Sequence, residues 1–155
     1  VSVPTAADVA DWADGLITVA QPHGHLRQMI DAYRDAGGRG RLYLQVHLSY
    51  ARDEDAALHI AHEQWRSNVF PPPVCWDLDT AELFDAVSEH VPPEAMRRHV
   101  LVSSDLGRHA AWLHDLAELG FDEVYLHHVG QDQSEFIESF GEHVLPRLGV
   151  SEVAR

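Results

Sequence analysis

The chain has 155 residues, 45% hydrophobic and 23% charged, the composition of a globular domain rather than a disordered segment. Eleven basic against 25 acidic residues give a formal charge of −14, which argues against nucleic acid or an anionic membrane surface as partner. Cys75 is the single cysteine, so neither an internal disulfide nor a thiolate metal cluster is available, and a reducing, cytoplasmic setting is expected. No apolar run reaches the about 20 residues of a membrane span, and a signal peptide before the first helix is not expected.

The chain opens on Ser2-Val3-Pro4-Thr5, and Thr5 to Asp8 has capping-box spacing with Asp in place of Glu, so a first helix is expected through Ala13. Gly15-Leu16-Ile17-Thr18-Val19 reads as a buried strand. Pro22 starts a helix through Leu26, Met29, Ile30 and Tyr33 that stops at Gly37-Gly38. Leu42 to Tyr50 alternates cleanly: Leu42, Leu44, Val46 and Leu48 point one way, and Tyr43, Gln45, His47 and Ser49 the other. A helix follows with acids in its first turn, as the helix dipole prefers.

Residues 69–79, VFPPPVCWDLD, contain three consecutive prolines, which exclude helix and central strand. With a short helix near Ala81–Glu89 and a turn at Pro92-Pro93 they form an insertion over about 69–97. His99–Val102 is then a short apolar strand, and Ser103, Ser104 and Asp105 offer capping oxygens to a helix with Ala110, Leu113, Leu116, Ala117 and Leu119 on one face. Free N–H groups at Ser104–Leu106 and the dipole behind them suit an anion; a plain helix cap explains the same residues. Gly120 ends the helix, EVYLHHV is the next strand, and a last helix spans about Ser134–Leu148.

Regular alternation of short strands and amphipathic helices implies a parallel α/β sheet in one domain spanning 1–155. The expected strands are 15–19, 42–49, 98–102 and 123–128. A doubly wound sheet fits, and so does half of a (β/α)8 barrel. The polar inward face of Leu42–Tyr50 favours the half barrel, four parallel strands with outer helices.

Three segments carry a family resemblance: ADGLIT at 13–18, LYLQVHLSYARDEDAALHIAHEQWRSNVFPPPVCWDLDT at 42–80, and LVSSDLGRHAAWLHDLAELGFDEVYLHHVGQ at 101–131. The chain resembles the C-terminal half of luciferase-like flavin-dependent oxidoreductases, in particular a subgroup described as probable oxidoreductases that do not use the deazaflavin. The resemblance implies an FMN-dependent oxidoreductase or monooxygenase acting on a small organic substrate, with a deazaflavin as the alternative cofactor. It places Ser2, Val3, Pro4 and Thr5 at a phosphate-approaching turn, with Val3 where the family has glycine. It places Ser103 and Ser104 at a second such turn, without the family's glycine or proline. The usual catalytic groups come from the other half of the barrel, so no catalytic residue is assigned. The isolated half is expected to self-associate or to pair with an N-terminal half; the alternative is a non-catalytic remnant that binds a phosphorylated ligand or only self-associates.

Substrate contacts are expected from Thr18, His47 and His127, all near strand ends where barrel chemistry sits. A hydrogen-bonded core histidine is the competing reading for His47, and strand propensity for Thr18. Tyr125 shares a face with His127, which selects His127 over His128. Trp65, Arg66 and Trp76 flank the proline segment as a lid or as packing. His59 and His62 lie one helical turn apart in HIAHE, an order that matches no metalloprotease helix, and no metal is assigned.

Overall fold

The computed structural model describes residues 1–149. Within them six helices alternate with four strands: α1 (Val3–Asp8), β1 (Gly15–Val19), α2 (His23–Asp35), β2 (Arg41–Ser49), α3 (Glu54–Trp65), α4 (Ala81–Ser88), β3 (Leu101–Val102), α5 (Leu106–Ala117), β4 (Glu123–His128) and α6 (Ser134–His143). Every strand pairing is parallel. The alternation read from the sequence is therefore the architecture of the molecule.

Strand order differs from chain order. β2 is central, and all three other strands pair with it. Its Leu42 and Leu48 carbonyls accept from Asp122 and Val129 N–H on the β4 side at 2.8 and 2.9 Å. Its Gln45 and Ser49 carbonyls accept from Ala20 and Ser103 N–H on the opposite edge at 2.8 and 3.2 Å. Alternate carbonyls of a strand face opposite edges, so β1 and β3 share one edge end to end while β4 takes the other. The long strands run β1-β2-β4. β3, two residues long, caps the end of β2 beyond β1 and pairs only with Leu48 and Ser49.

The strand expected at 98–102 therefore shrinks to Leu101–Val102, because Pro93–Arg98 winds into a 3-10 turn with Met96 buried. α1 is likewise shorter than expected. Ser2 caps it rather than Thr5, and it ends at Asp8 instead of running through Ala13. α6 stops at His143, and a 3-10 turn over Leu145–Leu148 completes the last helical segment.

Three apolar clusters hold the elements. Leu44, Val46 and Leu48 meet Leu26, Leu113, Leu116, Phe136 and Phe140, so α2, α5 and α6 cover one face of the sheet. α3 meets the returning insertion through Ala57, Leu58, Ala61, Met96, Val100 and Val102. Ala6, Ala10, Met29 and Tyr33 seat α1 and α2 on Leu16 and Leu42. Burial of an aliphatic side chain of this size contributes about 1.5–3 kcal/mol, so the helix-covered face supplies most of the cohesion. The other face is open: Ile17, Tyr125 and Val19 are 53, 46 and 41% exposed.

Candidate functional site: the open sheet face and an adjoining cleft

Parallel register places side chains of paired residues on one face. Ile17, Val19, Tyr43, Gln45, His47, Glu123, Tyr125 and His127 thereby share the open face, since Ile17 pairs with Tyr43, Val19 with Gln45, and Tyr43, Gln45 and His47 with Glu123, Tyr125 and His127. The lower part of the face is aromatic, with the Tyr43 and Tyr125 rings 6.1 Å apart and the Tyr125 hydroxyl donating to Glu123 at 2.7 Å.

Polar groups gather at its upper, C-terminal part. Gln45 Nε2 stands 3.2 Å from His47 Nε2 and 3.3 Å from His127 Nδ1. An amide nitrogen only donates, so both ring nitrogens accept. That leaves a proton on His47 Nδ1 and on His127 Nε2, two N–H donors available to a ligand oxygen. Trp65 walls the pair, its ring 4.5 Å from that of His47 and 5.2 Å from that of His127. Half-burial, and secondarily the neighbouring His127, hold the pKa of His47 below the ordinary imidazole value, so it is neutral at physiological pH.

A cleft of about 260 Å³ opens beside His47, in the seam where β1 ends and β3 begins. His23 at the start of α2, Arg97, Arg98, His99 and Trp112 line it, with Asp115 as the one acid. Arg97 is already committed: it donates to Glu54 at 2.8 Å and to Glu94 at 3.1 Å. Arg98 also lines the cleft and makes no ion pair among the described residues. The cleft suits an anionic or strongly polar group whose remainder reaches His47.

The structure brings His47 and His127, each named from the sequence as a substrate contact, together and adds Gln45 and Trp65. Gln45 was legible as an inward residue of β2 but carried no chemical signal of its own. Trp65 belongs to the site as a wall rather than a lid, Trp76 is exposed, and Arg66 pairs with Glu63 at 3.0 Å. Thr18 is a correction. It pairs with Leu44, on the helix-covered face, where it is 4% exposed and accepts from the Val1 ammonium and from Gln21, both at 3.3 Å. It does not reach the open face.

The turn at Ser103 follows the C-terminal end of β3, and the turn at Ser2 follows Val1, whose ammonium meets Thr18 near the C-terminal end of β1. Ser104 donates its N–H at 2.7 Å and its hydroxyl at 3.2 Å to the Glu54 carboxylate. These bonds, and the Arg97 guanidinium after them, hold Glu54 below the usual carboxylate range although burial opposes this. Asp105, not Ser104, caps α5, accepting from Gly107 and Arg108 N–H at 2.7 and 3.2 Å. Ser103 is buried and accepts from Asp105 N–H at 3.0 Å. At the other turn Ser2 Oγ accepts from Thr5 N–H at 3.2 Å and meets the Thr5 hydroxyl at 2.7 Å, Pro4 has no N–H, and the Val3 N–H opens the first turn of α1. At Ser103 and Ser104 the backbone N–H groups and the Ser104 hydroxyl bond within the chain, which leaves little there for the cofactor phosphate expected at that turn, whereas the donors of the turn over Ser2, Val3, Pro4 and Thr5 are only partly used. Elsewhere, His62 bonds the Val91 carbonyl at 2.8 Å, and no group of three or more metal-ligating side chains stands together among the described residues.

No protein-family model matches the chain. The F420-dependent glucose-6-phosphate dehydrogenase of Kribbella flavida is 30% identical over 105 residues, covering 68% of this chain and 31% of that protein. The protein of the same description from Microbacterium testaceum is 26% identical over 150 residues, covering 88% and 43%. Among solved structures, an F420-dependent secondary alcohol dehydrogenase bound to an F420–acetone adduct superposes with a TM-score of 0.78 at 17% identity, over 95% of this chain and 46% of that one. The coenzyme F420-dependent tetrahydromethanopterin reductase of Methanopyrus kandleri superposes with a TM-score of 0.63 at 16% identity, over 94% and 48%. The fold is half of a (β/α)8 barrel. The chain spans less than half the length of each of these proteins. The open face corresponds to the inside of such a barrel, and the helix-covered face to its outer layer. No helix among the described residues is long and apolar enough to cross a membrane.

Proposed function

We propose that this chain supplies the C-terminal β/α wall of an oxidoreductase barrel that uses a deazaflavin cofactor and acts on a small organic substrate carrying a hydroxyl or carbonyl group. The observation that carries the reading is the pair of N–H donors, His47 Nδ1 and His127 Nε2, oriented by Gln45 and walled by Trp65 on the open face. Two such donors suit a carbonyl or alkoxide oxygen, and a neutral His47 can take up or release one proton near neutral pH. The cleft with Arg98, His99 and His23 would hold a polar or anionic tail of the same substrate.

The relatives' dependence on F420 supports the deazaflavin over FMN, the first choice from sequence resemblance. The aromatic and apolar lower face would form one side of the cofactor chamber. When bound, the cofactor supplies the redox chemistry, and this chain supplies position and hydrogen bonding.

The open face requires a cover. A barrel of eight strands has an interior that side chains just fill. This chain brings four of those eight strands, so four remain to be supplied over Tyr43, Tyr125, His47 and Trp65. We therefore assign the cover to a four-stranded β/α segment, the other half of such a barrel. F420 fluorescence titrated into the chain alone and into the chain co-expressed with such a segment tests both points. Saturable quenching is expected for the pair and not for the chain alone. A pair that sediments as one species yet leaves F420 unquenched would overturn the cofactor assignment. Saturable quenching by the chain alone would overturn the need for a cover.

A further inference from the structure

We infer that Gln45 is a positioning residue that turns the His47–His127 pair between two opposite proton arrangements, one presenting two N–H donors to a ligand and the other two lone pairs. The inference rests on the reading of that pair as the polar centre of the open face. It adds how one site serves both a carbonyl and a hydroxyl group.

A single atom of the Gln45 amide bridges the rings, 3.2 Å from His47 Nε2 and 3.3 Å from His127 Nδ1. The two rings meet edge to face with centroids 5.2 Å apart, and Trp65 packs on both. With nitrogen in the bridging place the amide donates to both rings, and each ring carries its proton on the far side. Half a turn of the amide puts Oε1 there instead. An amide oxygen has two lone pairs, so it accepts from both rings, whose protons then stand on His47 Nε2 and His127 Nδ1. His47 Nδ1 and His127 Nε2 become acceptors, because the bond made by one ring nitrogen sets the role of the other. Little opposes the half turn. The torsion is of the broad two-fold kind, and Oε1 bonds no other group among the described residues.

The two arrangements match the two ends of an alcohol oxidation. A hydroxyl donates and so binds the lone-pair form; a carbonyl accepts and so binds the donor form. In the forward direction the O–H proton passes to His47 Nδ1, hydride leaves the carbon for the deazaflavin, and the C–O bond becomes C=O. His47 is then a cation whose Nδ1–H faces the new carbonyl and whose Nε2–H requires oxygen in the bridge. Loss of one proton to water returns the pair to the donor form. A protonated ring cannot face the amide nitrogen, so protonating either histidine brings oxygen into the bridge and reverses the tautomer of the other. The remaining ionisable groups around the pair are His23, Arg97, Arg98, His99 and Asp115 along the cleft, with Tyr125 and His128 beside His127 on β4. None of them bonds the amide, so a substitution at Gln45 leaves them in place.

The test follows the imidazole nitrogen resonances of the isotope-labelled 155-residue chain between about pH 8 and 5, which report the tautomer and charge of each ring. At the upper end the protons are expected on His47 Nδ1 and His127 Nε2. As one ring gains its second proton, the other should reverse its tautomer at the same midpoint. Gln45→Glu places a group that only accepts in the bridge, and should hold both rings in the reversed form at neutral pH. Gln45→Leu should leave the rings titrating independently, with no reversal. Backbone amide spectra check that both variants keep the fold. A ring that gains its proton while its partner keeps its tautomer would overturn the switch, and so would parent tautomers retained in Gln45→Glu. Neither measurement involves cofactor or substrate, so a failure here is distinct from a failure of the oxidoreductase reading.

Discussion

Two polar regions lie at the same end of the sheet, and they differ in what their donors do. At the turn before α5 most donors have an internal acceptor: Ser104 bonds Glu54, Asp105 N–H bonds Ser103, and the Gly107 and Arg108 amides bond Asp105. At the top of the open face, Gln45 satisfies one nitrogen of each imidazole and leaves the other nitrogen of each for a ligand. The same residue types thus give a locked structural cap in one place and a receptive site in the other. A helix N-terminus is a candidate anion site only while its own chain leaves it empty.

The comparison is broken most severely at the histidines. In the covered barrel, His47→Ala or His127→Ala should lower the turnover rate by about 10²-fold or more, the range for loss of a positioned proton-transfer group. Thermal stability should change little, since both side chains sit on the half-exposed face. Steady-state kinetics beside a melting curve decide this. A loss in KM alone, with turnover intact, would make them binding residues only.

Asp105→Ala should show the reverse pattern. Removing a cap that accepts two amide bonds costs about 1 kcal/mol and lowers the melting temperature by about 2–4 °C, with cofactor affinity retained. A large loss of cofactor binding at unchanged stability would return the turn to the list of cofactor contacts.

Stability should fall on acidification. Burial is the largest cause depressing the pKa of His47, His99, His109 and His128 below 6.5. The unfolded chain therefore binds more protons than the folded one below that value. The stability these neutral imidazoles contribute is fully present above about pH 6.5 and is lost as pH falls through their folded values. Glu54, also depressed, adds a further loss below its ordinary value of 4.5. Melting curves between about pH 7 and 4 should show this slope. His109→Gln should flatten it more than His99→Gln, because His109 is fully buried with Nδ1 unpartnered, whereas His99 is exposed. A rise in melting temperature between about pH 7 and 5 would contradict it.

The smallest effect is expected at Ser104. Ser104→Ala removes one 3.2 Å hydroxyl bond to Glu54 and leaves the backbone bond in place. Cofactor affinity should stay within about twofold, and stability within about 1 kcal/mol. A tenfold loss of affinity would show that Glu54 gives way to a phosphate on binding.

Much of the architecture was legible because it depends on local periodicity. The two faces of β2, the shared face of Tyr125 and His127, and the apolar stripe of α5 follow from side-chain periods of 2 and 3.6 along a few residues each. The insertion was legible for the same reason, since three prolines act on their own backbone. The family likeness, too, was carried by contiguous stretches of chain.

What the sequence could not decide was which distant groups meet. Thr18 looked like a strand-end contact, and only its pairing with Leu44 turned it toward the helices. β3 looked like a full strand, and only the docking of Met96 and Val100 on α3 wound the residues before it into a turn. Ser104 looked free until Glu54, fifty positions earlier, closed on it. Gln45 became a bridge only because the register between β2 and β4 places His47 beside His127. Local pattern determined by itself where the strands and helices lie and which faces are apolar. Long-range contacts, between strands and between helix and turn, decided which donors were consumed and which remained for a ligand, because a hydrogen bond depends on separation in space, and the chain order of its partners carries no record of that.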